Sequence, residues 1–251
     1  MAIKEVTVKV YEFDDLPTNK AKEKARQWFR ECRDDSDFDH VIEMFRELGV
    51  MLGFEFGTRA VALMNGKTRQ EPKIFYSLGY VQGDGANFDA VWRMADVKLE
   101  KLRDEWPVVP DNSTNKRVHE LANEVEGIIT RLKAANVAEA RIDIDASSRY
   151  FTMDVENAEL LDTEGNDIVD ALDATVPENA THDERVAILK PAFAVYEEFI
   201  DEMKEFARSM ATFLYDSIRD EDEYQSADEQ VDENIRANEY EFLEDGTRSR
   251  F

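Results

Sequence analysis

Residues 74–92 read IFYSLGYVQGDGANFDAVW. Two runs rich in aromatic and aliphatic residues, Ile74–Val81 and Ala86–Trp92, flank Gln82-Gly83-Asp84-Gly85. Strand formers on both sides of a glycine-containing bend, where positive φ angles are needed, predict a β-hairpin. No lysine followed by Ser or Thr accompanies the glycines and the following run is strand-like, so this is not a P-loop. The loop is first a structural turn. If it holds a ligand, Gln82, Asp84 and Asn87 are its polar groups.

The remaining pattern supplies partners for this hairpin. Val6, Val8 and Val10 alternate with polar neighbours and predict a strand at about residues 3–12. Thr18 is an N-cap for a helix with Ala21, Ala25, Trp28, Phe29 and Cys32 on its apolar stripe. That placement makes the single cysteine, Cys32, a small buried side chain. A second helix carries Val41, Ile42, Phe45 and Leu48, ending at Gly49 or Gly53. Val61–Met64 before Asn65-Gly66 reads as a strand and turn, and Pro72 marks an edge or a strand start.

A short helix over 98–106 stops at the proline connector 107–115, and an amphipathic helix fills about 115–135. Ile142, Ile144, Met153 and Val155 predict a second hairpin around Ser147-Ser148. After an acidic, weakly patterned connector at 157–182 comes the longest helical pattern, Asp183 to about Asp222, which starts or kinks at Pro191. A short helix at 226–237 leads to Tyr240-Glu241-Phe242. The fold class is therefore α+β: an antiparallel sheet of hairpins packed by amphipathic helices, one of them long and C-terminal. The organisation reads as an N-terminal sheet-and-helix region, 1–106, and an acidic region, 107–251, packed as one domain.

The 251 residues carry a net charge of −25, unevenly spread: −4 over residues 1–140 and −21 over 141–251. Such a field repels nucleic acid and anionic membranes and attracts basic surfaces. No apolar run reaches the roughly 20 residues of a membrane span, and the N-terminus lacks a signal-peptide pattern, so a cytoplasmic protein is expected. One cysteine excludes a disulfide framework. His40, His119 and His182 stand in different segments without a catalytic motif, and no enzyme is expected.

Two carboxylate groups stand out. Asp143 and Asp145 alternate with Ile142 and Ile144, while Asp154 and Glu156 alternate with Met153 and Val155. On a hairpin, same-face neighbours lie about 7 Å apart along a strand and about 5 Å across it. One face thus becomes a carboxylate lattice that could be a solvated face, a hard-cation site or a mimic of nucleic-acid phosphates. The second group, Asp220-Glu221-Asp222-Glu223, is placed at a helix C-terminus, where negative charge opposes the helix dipole. Asp162–Asp167 departs from a calcium loop at its sixth position and reads as an acidic turn. No metal or cofactor is assigned.

Three segments together resemble a group of accessory proteins of tailed bacteriophages, some described as antitoxin-like. They are Tyr11–Leu16 with Ala21–Arg26, Ser77–Phe88, and Ile235–Phe242 with Asp245-Gly246. The resemblance implies a phage product acting in the host bacterial cytoplasm. Joined to the acidic charge, it implies an inhibitor that binds a nucleic-acid-handling defence complex, such as a CRISPR effector, restriction or other nuclease system, by mimicking DNA charge. Such a protein would bind neither nucleic acid nor membrane directly. The alternatives are a sponge for a cyclic nucleotide signal, with the glycine loop as its pocket, and a toxin-neutralising partner.

Overall fold

Three bent strands in residues 54–93 meet at one junction. The elements, numbered in chain order, are β2 (Phe54–Phe56), running through Gly57 into β3 (Thr58–Ala62); β4 (Thr68–Pro72), running through Lys73 into β5 (Ile74–Ser77); and β6 (Gly85–Phe88), running through Asp89 into β7 (Ala90–Arg93). Each strand changes partner halfway. β3 pairs with β4, β5 with β6, and β7 with β2, all antiparallel. At the crossing the three linking residues close a ring of backbone hydrogen bonds. The Gly57 N–H donates to Asp89 O at 2.9 Å, Lys73 N–H to Gly57 O at 2.8 Å, and Asp89 N–H to Lys73 O at 2.9 Å. These residues lie sixteen apart in sequence. Gly57 sits at a close approach, where a Cβ would stand 3.3 Å from the Asp89 side chain and 3.4 Å from that of Lys73 and these side chains would have to shift by a few tenths of an ångström.

The computed structural model describes residues 8–32, 38–64, 66–79, 83–109, 112–147 and 151–249. The predicted α+β class with hairpin sheets is observed, and the QGDG hairpin forms with Ile74 opposite Phe88 and Ser77 opposite Gly85. The run Ala86–Trp92 is not one strand of that hairpin, however. Its second half, β7, leaves at Asp89 to join β2 and a later strand, Glu139–Ser147. Pro72 ends β4, and the stretch after it starts β5 at Ile74, an edge strand of a two-stranded sheet, as the missing N–H donor of proline suggests.

β7 sits inside a four-stranded antiparallel sheet ordered β2-β7-β8-β9, with β8 at Glu139–Ser147 and β9 at Thr152–Leu161. Alternation sends Phe54, Trp92, Ile142 and Ile144 to one face, where all are buried. Four helices cover the central unit, residues 41–217: α2 (Asp39–Met51), α3 (Leu99–Glu105), α4 (Ser113–Ala134) and α6 (His182–Ser226). Phe199 of α6 meets Trp92 at 5.9 Å between rings, and Phe206 stacks on Phe54 at 5.6 Å. The Trp92 indole N–H donates to Leu52 O at 2.9 Å, so its polar atom is satisfied in the core. Burial of each such ring contributes about 1.5–3 kcal/mol. The proline connector lies within this unit, between α3 and α4.

The start of α6 is set by a capping box that periodicity alone does not reveal. Thr181 Oγ1 accepts the Glu184 N–H, and Glu184 accepts the Thr181 N–H at 2.8 Å. Pro191 then lies inside the helix. The region 157–182 is more ordered than its composition suggests, holding the end of β9 and a short helix, α5 (Ile168–Asp173).

The other unit joins the two chain ends, residues 1–40 with 218–251. Two copies of Tyr-Glu-Phe, at 11–13 and 240–242, supply a small antiparallel pair: β1 (Tyr11–Glu12) and β10 (Glu241–Phe242), with Tyr11 opposite Phe242. The strand expected at 3–12 is thus two residues long where described, and residues 1–7 lie outside the described part. Helix α1 (Asn19–Glu31) is capped by Thr18, whose Oγ1 accepts the Ala21 N–H at 3.1 Å. It packs on α7 (Asp228–Ala237) around Phe13, Ala25, Val231, Ile235 and Phe242. Arg26 is held by Asp232 at 2.7 Å and 2.8 Å, both half-buried. Cys32 corrects the expectation of burial: α1 ends one residue earlier, and the cysteine is exposed at its C-cap.

Candidate functional site

The outer face of the four-stranded sheet is built by the same alternation that buries Trp92 and Ile142. Residues between the core positions turn outward and pair across strands. One row runs Glu55, Val91, Asp143, Glu156; a second runs Arg93, Arg141, Glu159; a third places Asp145 opposite Asp154. The expected carboxylate lattice on β8 and β9 is thus in register. Glu156 is placed by its backbone, and its side chain lies outside the described part. A register shift between Arg141 and Asp143, with Asn157 at φ +48°, bulges β9. The bulge brings the Asn157 amide within 3.4 Å of the Asp143 carboxylate.

Arginines interleave the lattice, which composition did not reveal. Arg141 bonds Asp143 at 3.0 Å and reaches Glu159 at 3.7 Å. Arg93 bonds Glu55 at 2.6 Å, an interaction that raises its pKa. A third cation comes from the junction. Lys73 Nζ bonds Asp89 Oδ2 at 2.5 Å, and this bond raises the lysine pKa. The other Asp89 oxygen accepts the Ala146 N–H at 2.7 Å and so anchors β8 beside Asp145. A depression of about 420 Å³ lies over this ground, lined among others by Glu55, Asp89, Arg93, Asp143 and Asp145.

Asp145 and Asp154 are the exception on this face. Both are exposed, and among the described residues neither forms an ion pair. Like charges directly opposite on a strand pair destabilise it by a few tenths to about 1 kcal/mol. Negative charge extends past them: residues 150–184 contain eleven Asp and Glu and no Lys or Arg. Several of these acids serve local structure. Asp162 accepts the N–H groups of Glu164 and Asn166, which lowers its pKa and shapes the turn that the sequence suggested there. Asp167 caps α5 and accepts the Tyr196 hydroxyl, while Asp173 pairs with Arg185. Burial, then Asp167, pushes the Tyr196 phenol up to about 12. Among the described residues no three acidic, histidine or cysteine side chains converge as a metal-binding group.

The second acidic group, Asp220–Glu223, lies within the last two turns of α6 and not at its end. Its members are engaged locally: Arg219 neighbours Asp220 and Glu223 at 3.7 Å and 3.8 Å, and Glu221 accepts the Gln225 amide at 2.6 Å. It belongs to the terminal unit, whereas the β8–β9 lattice belongs to the central one.

In the glycine loop, Gln82 lies outside the described residues. Asp84 accepts the Ser77 hydroxyl at 3.1 Å and the Gly79 N–H at 3.0 Å, so it braces the turn. Asn87 is fully buried, its amide donating to Thr152 O at 3.2 Å. It stitches β6 to β9 and is not presented to solvent. His119 bonds Trp106 O at 2.6 Å, and His40 lies 3.5 Å from Glu221.

A family model covers residues 38–228, which include the whole central unit, 41–217. The chain belongs to the DUF8835 family. That family is a domain of unknown function, and the terminal unit is formed largely from sequence on either side of the match. No match was found among curated proteins or among solved structures. No helix among the described residues is long and apolar enough to cross a membrane.

Proposed function

We propose that this DUF8835 protein is an acidic binding protein that occupies a basic, nucleic-acid-handling surface through the β8–β9 carboxylates. The observation that carries this reading is the Asp145–Asp154 pair. On a face where neighbouring acids are held by Arg93, Arg141 and Lys73, these two carboxylates stand opposite each other outside any salt bridge between described residues, with Lys73, already bonded to Asp89, adding only a longer-range attraction to Asp145. A folding cost tolerated at a solvent-facing position suits a surface that meets positive charge on a partner. Glu156, next along β9, and the base-free stretch to residue 184 extend the same field.

The resemblance to tailed-phage accessory proteins makes a bacterial defence complex the proposed target, bound in the host cytoplasm. Bound there, the carboxylates would take the place of DNA phosphates. Asp220 and Glu223, exposed on α6, form a separate acidic group that a partner of the terminal unit could use. The glycine loop offers less support for a nucleotide pocket, since Asp84 braces its own turn and Asn87 is buried. The test is capture of a nucleic-acid-binding complex by the tagged full chain, with duplex DNA as competitor. Retention that DNA and salt leave untouched would exclude charge mimicry.

A further inference from the structure

The hairpin β3–β4 combines high exposure with a basic charge balance. Only Val61, Glu71 and Pro72 are even half-buried along its two strands, so both faces of the ribbon meet solvent. Residues 58–72 hold three basic residues, Arg59, Lys67 and Arg69, against the single acid Glu71, in a chain of net charge −25. At the tip, Leu63 and Met64 are exposed, Met64 fully. A lone two-stranded ribbon is marginally stable in water. The exposed apolar pair at its end offers a small hydrophobic contact surface.

The same unit contains a surface of opposite character. A groove of about 490 Å³ is lined chiefly by apolar side chains, among them Ala171 and Leu172 of α5 and Pro191, Ala192 and Val195 of α6. Asp162 stands in its wall, and the adjoining turn and helix carry Glu164 and Asp170. One wall, from Asp162 to Leu172, belongs to the base-free stretch, while the α6 wall, Pro191 to Val195, follows Lys190. One molecule therefore presents a basic ribbon with an apolar tip and an apolar groove with an acidic rim.

We propose that the β3–β4 tip of one molecule docks in the α5–α6 groove of a second copy, with Leu63 and Met64 in the groove and Lys67 and Arg69 facing its acidic rim. An acidic nucleic acid would be repelled by the remainder of the chain, whereas a second copy supplies both the cavity and the charge. The contact joins two different patches, so it closes as a two-fold dimer where both tips are reciprocally seated and otherwise propagates into a ring or a chain. A tip in a groove buries less than the ~1,200 Å² of a standard interface, the size class of weak and transient contacts. This proposal concerns a different surface from the β8–β9 carboxylates and stands or falls separately.

Sedimentation velocity of the full chain across about 1–200 µM tests it. Wild type is expected to show mass rising with concentration, reduced at 1 M salt and by K67E/R69E. Met64→Glu disables the tip and Ala171→Trp fills the groove, so each variant alone is expected to remain monomeric. Mixed, they retain one intact tip and one intact groove, and a heterodimer that grows no further is expected. Should Ala171→Trp fail to fold, disulfide trapping decides. In a Cys32→Ser background, Met64→Cys mixed with Ala171→Cys should cross-link between the two chains, faster than either forms homodimers. A wild-type chain that stays monomeric throughout, or cross-linking no faster than between like variants, would overturn the proposal.

Discussion

Replacing Asp89 by Ala should destabilise the central unit and misplace Asp145 together. The carboxylate is 13% exposed and holds two partners, Lys73 Nζ at 2.5 Å and the Ala146 N–H at 2.7 Å. Removing it leaves the half-buried Ala146 N–H without its acceptor, at about 1–3 kcal/mol. The Lys73 end is 40% exposed and rehydrates, so its share is at most about 1 kcal/mol. Asp89→Ala should therefore cost about 1–4 kcal/mol, centred near 2.5, and Asp89→Asn, which keeps an oxygen for Ala146, about 1 kcal/mol. With a urea m-value of about 3 kcal/mol/M, the alanine variant moves the midpoint down by somewhat under 1 M. The assay is urea unfolding followed by circular dichroism, with Lys73→Met added to close a double-mutant cycle. Equal losses for Asp89→Ala and Asp89→Asn would refute the role given to the Ala146 anchor. A coupling near zero between Asp89 and Lys73 would refute the ion pair.

Three further outcomes are expected. Asp145→Asn/Asp154→Asn should leave the fold intact and stabilise it slightly, by about 0.5 kcal/mol at low salt, because a facing like-charge pair is removed; a clear loss of thermal stability would contradict that. Gly246→Ala should prevent the C-terminal turn from seating, since φ is +84° and a Cβ would lie 2.0 Å from Ala21 O; an unchanged near-ultraviolet signal from Trp28 would count against it. Asp14 and Asp245 have pKa values lowered chiefly by Arg236 and Lys24 respectively. Lowered folded-state values mean that their contribution is present above the ordinary carboxylate range and lost as pH falls below about 4. Asp14→Asn/Asp245→Asn should accordingly flatten the acid dependence of terminal-unit unfolding, and an acid limb as steep as wild type would contradict this.

Much of the fold was legible because local physics and tertiary context agree. Thr18 caps α1, the 3.6-residue stripe of Val118, Leu121, Val125 and Ile128 marks α4, and alternation around Ile142 and Ile144 places Asp143 and Asp145 outward. The junction was less visible because Gly57, Lys73 and Asp89 are poor strand formers in the middle of strands. Their equal spacing was the available signal, but it has meaning only once three hairpins are known to share strands. The pairing of the chain ends could have been suspected from the repeated Tyr-Glu-Phe, which pairs with itself at opposite ends of the sequence. The exposure of Cys32 is not legible because a helical stripe says nothing about where the helix stops. At the candidate site, the register of the acids followed from period two. The neutralising Arg93, on β7 beside Arg141, comes from a distant segment, and no local pattern announces it.

The measurement closest to the central claim sets the full chain beside its Asp145→Asn/Asp154→Asn variant as affinity baits in bacterial extract. Bound proteins are identified by mass spectrometry and then titrated with duplex DNA. The account predicts that the wild-type chain retains a nucleic-acid-handling complex that DNA displaces, with retention falling about tenfold or more in the variant. Equal retention by both baits, indifferent to DNA, would contradict it.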